Sequence, residues 1–140
     1  MQQNASNNMP IQASHKLKEQ GNNLFKQGEF KKAIRVYGEA INLNPEEPVF
    51  FLNRAKCHKQ LEDFEKMAED AKEAINRDPK YTKAFLTLGE ALIEMGKADD
   101  ETNKKCEDGL KHLRKAKSLC SSNPQTSKFE AEIINQLMKA

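Results

Sequence analysis

The side chains able to do chemistry in this chain are three histidines, three cysteines and a recurring set of lysines and asparagines. His15, His58 and His112 lie far apart, and together with Cys57, Cys106 and Cys120 they form no interval that a zinc site uses. There is no glycine-rich phosphate loop. No catalytic residue, metal site or cofactor is therefore expected. What remains is hydrogen-bond donation. Lysine ammonium and asparagine amide groups both donate, and both suit a carboxylate. Charge-assisted bonds of this kind contribute about 1.5–3 kcal/mol each. Asparagine inside a helix is mildly unfavourable, because its side chain competes for backbone groups. Whether the lysines and asparagines act together depends on the elements that carry them.

Those elements announce themselves by repetition. Residues 14–47 and 48–81 are near-copies of one pattern, 34 residues apart. Gly21, Gly28, Phe30, Ala33, Tyr37, Ala40 and Pro45 fall opposite Ala55, Glu62, Phe64, Met67, Ala71, Ala74 and Pro79. A third copy opens at Thr82, with Gly89 and Gly96 in the places of Gly21 and Gly28. This period with its small, aromatic and proline positions resembles the tetratricopeptide repeat, a helix–turn–helix unit. The resemblance implies an all-α fold of three repeats, 14–47, 48–81 and 82–123, in a right-handed superhelical array. A helix at 124–140 would cap it.

Each repeat is expected to hold two antiparallel helices, 15–27 with 30–43 and 48–61 with 64–77. Gly28 suits the left-handed conformation that ends a helix. Asn44-Pro45 and Asp78-Pro79 stop the second helices, because proline disfavours helix in the residue before it. In the third repeat, helix 82–95 is followed by eight extra residues if Gly109 holds the place of Ala33. The polar insertion 97–108 reads as about two more turns on the second helix of the pair, with Asp99 and Asp100 as its cap and a loose loop as the alternative. Asn123-Pro124 announces the last helix, whose Phe129, Ile133 and Leu137 share one apolar face. A repeat array needs such a cover for its final pair.

The first helices of a tetratricopeptide array line its concave side, and the resemblance places Lys18, Asn22, Val49, Asn53, Lys56, Lys59, Gln60, Lys83, Leu86, Thr87 and Glu90 there. The strings LKEQGNNLF, FLNRAKC and TKAFLTLGEAL resemble the two-carboxylate clamp of co-chaperone tetratricopeptide domains. That family spaces Lys, Asn, Asn, Lys and Arg at intervals which here give Lys18, Asn22, Asn53 and Lys83, and then Thr87 in place of the arginine. The resemblance implies capture of the C-terminal Glu-Glu-Val-Asp tail of HSP70 or HSP90 chaperones, both carboxylates of the last aspartate being gripped. Lys56, Gln60 and Leu86 would extend the peptide site, and Lys56 and Lys59 would restore charge lost with the arginine. Two subfamilies fit, the Hop/Sti-type organiser and the chaperone-binding U-box ubiquitin ligase. A U-box would follow the last helix and is not among these residues, so ligase activity is not expected of the chain. A general scaffold gripping some other protein segment, or the recruiting part of a larger ligase, are the competing readings.

Composition agrees with an adaptor. A charged fraction of 31% against 37% hydrophobic suits a thin array with much exposed surface. A net charge of +2 is too small to imply nucleic-acid binding. No apolar run reaches the roughly 18–20 residues that span a membrane. The odd cysteine count points to a reducing compartment, so a cytoplasmic monomer is expected. Residues 1–13 are rich in Gln and Asn without periodicity and read as disordered.

Overall fold

The computed structural model describes residues 2–98 and 103–120. Among these residues the chain forms six helices: α1 (Gln2–Lys26), α2 (Phe30–Leu43), α3 (Pro48–Gln60), α4 (Phe64–Arg77), α5 (Thr82–Ala98) and α6 (Asn103–Cys120). Consecutive helices pack as pairs, α1 with α2, α3 with α4 and α5 with α6, and each pair stacks on the next. This is an all-α helical repeat array. The cap expected at 124–140, with Phe129, Ile133 and Leu137, lies outside the described residues.

The turn inside each of the first two pairs is built the same way from different residues. Gly28 has φ 79°, its N–H donates to Phe25 O, and Glu29 N–H reaches back to Leu24 O. Glu62 has φ 58°, its N–H donates to Lys59 O, and Asp63 N–H reaches back to His58 O. Both are helix ends closed through a left-handed residue. Glycine adopts that conformation freely, whereas a glutamate crowds its own carbonyl. Helices α3 and α4 start on side-chain caps, Glu47 accepting from Val49 N–H ahead of Pro48 and Asp63 from Lys66 N–H, whereas Glu29 makes no such bond ahead of α2.

Two expectations are corrected. α1 does not begin near His15 but at Gln2, so residues 2–13, expected to be disordered, are helical. Gln, Ala and Met are good helix formers, and Pro10 has a φ compatible with helix although it forgoes one backbone bond. Ser14, fully buried, fastens the turn by donating to Ile11 O at 2.5 Å. The second correction concerns the third pair. α5 runs through buried Gly96 to Ala98, and α6 starts by Asn103, so the inserted residues are shared between both helices. The reason is register. A Cβ on Gly89 would lie 2.8 Å from Gly109 O, and one on Gly109 2.7 Å from Gly89 O. With that crossing fixed, residues inserted between the two glycines of an antiparallel pair must lengthen both arms about equally. Hence α5 and α6 have 17 and 18 residues, where α2, α3 and α4 have 14, 13 and 14. The expected cap at Asp99 and Asp100 lies outside the described residues.

The core runs along the stack in linked clusters. Ala33, Tyr37 and Cys57 join the first pair to the second. Ala55, Met67, Ala68, Ala71, Leu88 and Ala91 join the second to the third. One buried charge fastens α3 to α4: Asp70 accepts from Arg54 Nε and Nη2 at 2.9 and 2.8 Å, with His58 Nε2 at 3.4 Å. Burial alone would push the Asp70 carboxyl up, but the hydrogen bonds from His58 and Arg54 outweigh it and hold the group below its usual range.

Replacing Glu62 by glycine should relieve the left-handed strain at the cost of unfolded-chain entropy, a net gain of about 0.5–1 kcal/mol in urea unfolding. Asp70→Asn should cost about 2–4 kcal/mol near neutral pH, because it leaves Arg54 without its anion. Since the folded pKa of Asp70 is depressed, its contribution is complete above the unfolded carboxylate pKa of about 4 and is lost as pH falls through the lower folded value. Denaturant titrations between neutral and acid pH should therefore show a flatter acid limb for Asp70→Asn than for the wild type.

Candidate functional site

Helix α3 touches both α1 and α5, so the first helices of the three pairs stand side by side and form one face of the array. Asn22 from α1 and Asn53 from α3 meet on that face, with Asn53 Nδ2 donating to Asn22 Oδ1 at 3.5 Å. The Tyr37 hydroxyl donates to the same oxygen at 2.5 Å. Beside them opens a recess of about 210 Å³ lined by Asn22, Phe25, Lys26, Tyr37, Asn53 and Lys56. None of these residues is acidic. Lys56 reaches solvent, yet partial burial draws its ammonium below the usual lysine value, and the positive charges of Lys83 and Lys59 draw it further. Lys83, on α5, is thus close enough to act on the recess. Lys18 lies on α1 one turn before Asn22, partly exposed. The arrangement concentrates N–H donors and positive charge, which is what a carboxylate needs.

The other expected positions differ. Thr87, where the clamp family carries arginine, donates its hydroxyl proton to Lys83 O at 2.8 Å. Its single donor is therefore committed to its own helix. Leu86, expected in the peptide site, is only 9% exposed and packs with Phe85, Ile93, Leu113 and Ala116. Once α6 covers α5, an aliphatic side chain gains more from that core than from the groove. Gln60, the last residue of α3, is exposed and does not line the recess. Lys59 does not restore free charge, for its Nζ pairs with Glu90 at 2.6 Å across α3 and α5. Phe25, Lys26 and Tyr37 were not expected in the site. Phe25 and Lys26 follow Asn22 by three and four residues, which puts them on its helix face. Tyr37 reads as packing, and only the fold brings its hydroxyl to Asn22.

The three histidines and Cys57 serve the fold. His15 stands edge-on to Phe50, His58 binds Asp70 and His112 stacks on Phe85. Burial, with the Asp70 charge, pushes the Cys57 thiol up to about 11, where it is a poor nucleophile at neutral pH. Among the described residues no helix is long and apolar enough to cross a membrane, and no cluster of three or more His, Cys, Asp or Glu side chains could hold a metal.

Paired helices stacked so that the first of each pair lines a polar groove define a tetratricopeptide-repeat domain. Family models described as "TPR repeat" and "Tetratricopeptide repeat" match residues 21–62 and 50–81. The chain is 37% identical over 127 residues to the E3 ubiquitin-protein ligase CHIP of Arabidopsis thaliana, covering 91% of this chain and 43% of that protein. To the small glutamine-rich tetratricopeptide repeat-containing protein 2 of Mycosarcoma maydis it is 40% identical over 84 residues, 60% of this chain and 24% of that one. Among solved structures, the first TPR of Spaghetti (RPAP3), bound to HSP90 peptide SRMEEVD, matches with TM-score 0.74 and 28% identity, covering 93% of this chain and 96% of that one. The chain carries tetratricopeptide repeats over residues 21–81, is similar to proteins that include a co-chaperone, and spans less than half the length of these two sequence relatives.

An anion bound in the recess should raise the depressed Lys56 pKa, since it favours the charged ammonium. Binding is then strongest while Lys56 is protonated and weakens as pH rises through its lowered value. Calorimetry of an acidic peptide at neutral and alkaline pH, in buffers of different ionisation enthalpy, should show proton uptake at the alkaline end that disappears in Lys56→Gln.

Proposed function

We propose that this chain is a non-catalytic adaptor domain that captures the acidic C-terminal tail, ending Glu-Glu-Val-Asp, of an HSP70 or HSP90 chaperone. The observation that carries the reading is the meeting of Asn22 and Asn53 beside Lys56 and within range of Lys83, with no acid lining the recess. Lys18, Lys56 and Lys83 supply charge, and Asn22 and Asn53 direct N–H groups at the two carboxylates of the terminal aspartate. The HSP90 peptide on the similar Spaghetti domain, and the HSP70 peptide SGPTIEEVD on the second TPR domain of human RPAP3 at 25% identity, support that ligand class. The domain acts as a monomer in the cytoplasm. Likeness to a ubiquitin ligase covers under half of that ligase, so the part assigned to this chain is recruitment of a chaperone rather than transfer of ubiquitin.

The competing reading, a scaffold for an internal segment of another protein, differs in one requirement. A clamp needs a free terminal carboxylate and a scaffold does not. Titration calorimetry with a peptide ending in Glu-Glu-Val-Asp should show at least about tenfold weaker binding once its C-terminus is amidated. Asn53→Ala and Lys83→Ala should each weaken the free-acid peptide by roughly the same factor, and binding should fall with salt because these charges are partly exposed. Thr87→Arg should tighten it by supplying donors in place of a hydroxyl bonded to its own helix. Equal affinity for the free-acid and amidated forms would overturn the clamp and favour the scaffold.

A further inference from the structure

The Asn22 amide is held by neighbours that converge on one of its atoms. Tyr37 is 1% exposed, and its hydroxyl donates to Asn22 Oδ1 at 2.5 Å, while Asn53 Nδ2 approaches the same oxygen at 3.5 Å. An asparagine amide turned by half a revolution keeps its shape but exchanges a carbonyl acceptor for an NH₂ donor. In a carboxylate site the difference is decisive. The NH₂ attracts the guest, whereas the carbonyl oxygen repels it. With Oδ1 drawn toward Tyr37 and Asn53, Nδ2 and its hydrogens are left to face elsewhere.

We propose that Tyr37 is a positioning residue for carboxylate capture: its hydroxyl fixes the Asn22 amide so that N–H groups, rather than a carbonyl oxygen, face the guest. This role rests on the clamp reading above. Gly21 makes it possible. A Cβ there would lie 2.5 Å from Tyr37 Cε1, so the ring can slide beneath α1 to reach Asn22 only because its neighbour is glycine. Burial, helped by Cys57, raises the phenol pKa well beyond its ordinary value, so the hydroxyl keeps its proton wherever the protein works. Asn53 gains as well, since one of its N–H groups is anchored on the oriented oxygen and the other is left for the guest.

The test is a double-mutant cycle of Tyr37→Phe and Asn22→Ala, read by calorimetry with the free-acid and amidated peptides. Phenylalanine keeps the ring in the core, so melting should stay near that of the wild type. Tyr37→Phe should weaken the free-acid peptide about three- to tenfold and leave the amidated form nearly unchanged. In the Asn22→Ala background the same substitution should have no further effect. If the wild type discriminates between peptides but Tyr37→Phe binds like it, or if the losses simply add, the positioning role is wrong and the clamp stands. If the wild type ignores the terminal carboxylate, the clamp fails, and with it this role in capture. A peptide-free measurement separates the cases further: the Asn22 side-chain amide signals in NMR spectra should shift and average in Tyr37→Phe. Unchanged signals would overturn the claim that Tyr37 sets the amide.

Discussion

Within the first and third pairs the helices approach until a Cβ has no room, and the groove inherits its geometry from that contact. A Cβ on Gly21 would strike the Tyr37 ring at 2.5 Å, and one on Gly89 would strike the Gly109 carbonyl at 2.8 Å. Close-packed interiors resist even small changes of volume, so such crossings hold the sliding register of each hairpin. The Gly21 crossing carries the Tyr37 hydroxyl to the groove side of α1, where it finds Asn22. The Gly89 crossing holds α6 over α5, which takes Leu86 into the core and leaves Lys83 exposed. Fold and site meet at these contacts.

Charge is partitioned between the interior and the groove. Inside, the carboxylate of Asp70 is met by Arg54 and His58, so the cost of desolvating it is offset by hydrogen bonds. In the groove, Lys26 and Lys56 line a recess without an acid, and Lys56 feels Lys83 and Lys59 as repulsion. A cluster of like charges is mildly unfavourable by itself, and an incoming anion relieves it. The Lys59–Glu90 pair is the counterexample that bounds the site, for it neutralises one cation and sets a carboxylate on the face shared by α3 and α5.

Repetition allows the same architecture to be reached with unlike residues. Gly28 and Glu62 close equivalent turns with positive φ, although only glycine does so without strain. The first pair is packed by Ala33 against a helix bearing Gly21, the third by Gly109 against Gly89. The longer α5 and α6 add residues at the far end of their pair and leave the crossing intact.

The 34-residue period, through the tetratricopeptide resemblance it carries, pointed to helical pairs, to the ends of α2, α3 and α4 within a residue, and to Asn22, Asn53 and Lys83 on the first helices of those pairs. Those are consequences of local rules: proline stops, left-handed turn residues and helical periodicity act within a few residues and are written in order along the chain. The helical course of residues 2–13 extends α1 by local propensity without an apolar period to announce it, while the division of the third-pair insertion was decided elsewhere, by the Gly89–Gly109 crossing. The same holds for the site. Tyr37 in contact with Asn22, Leu86 withdrawn into the core and Lys59 tied to Glu90 each depend on distances between groups on different helices. A sequence pattern gives the direction a side chain leaves its helix. Which atom it meets is fixed only when the helices close to contact distance.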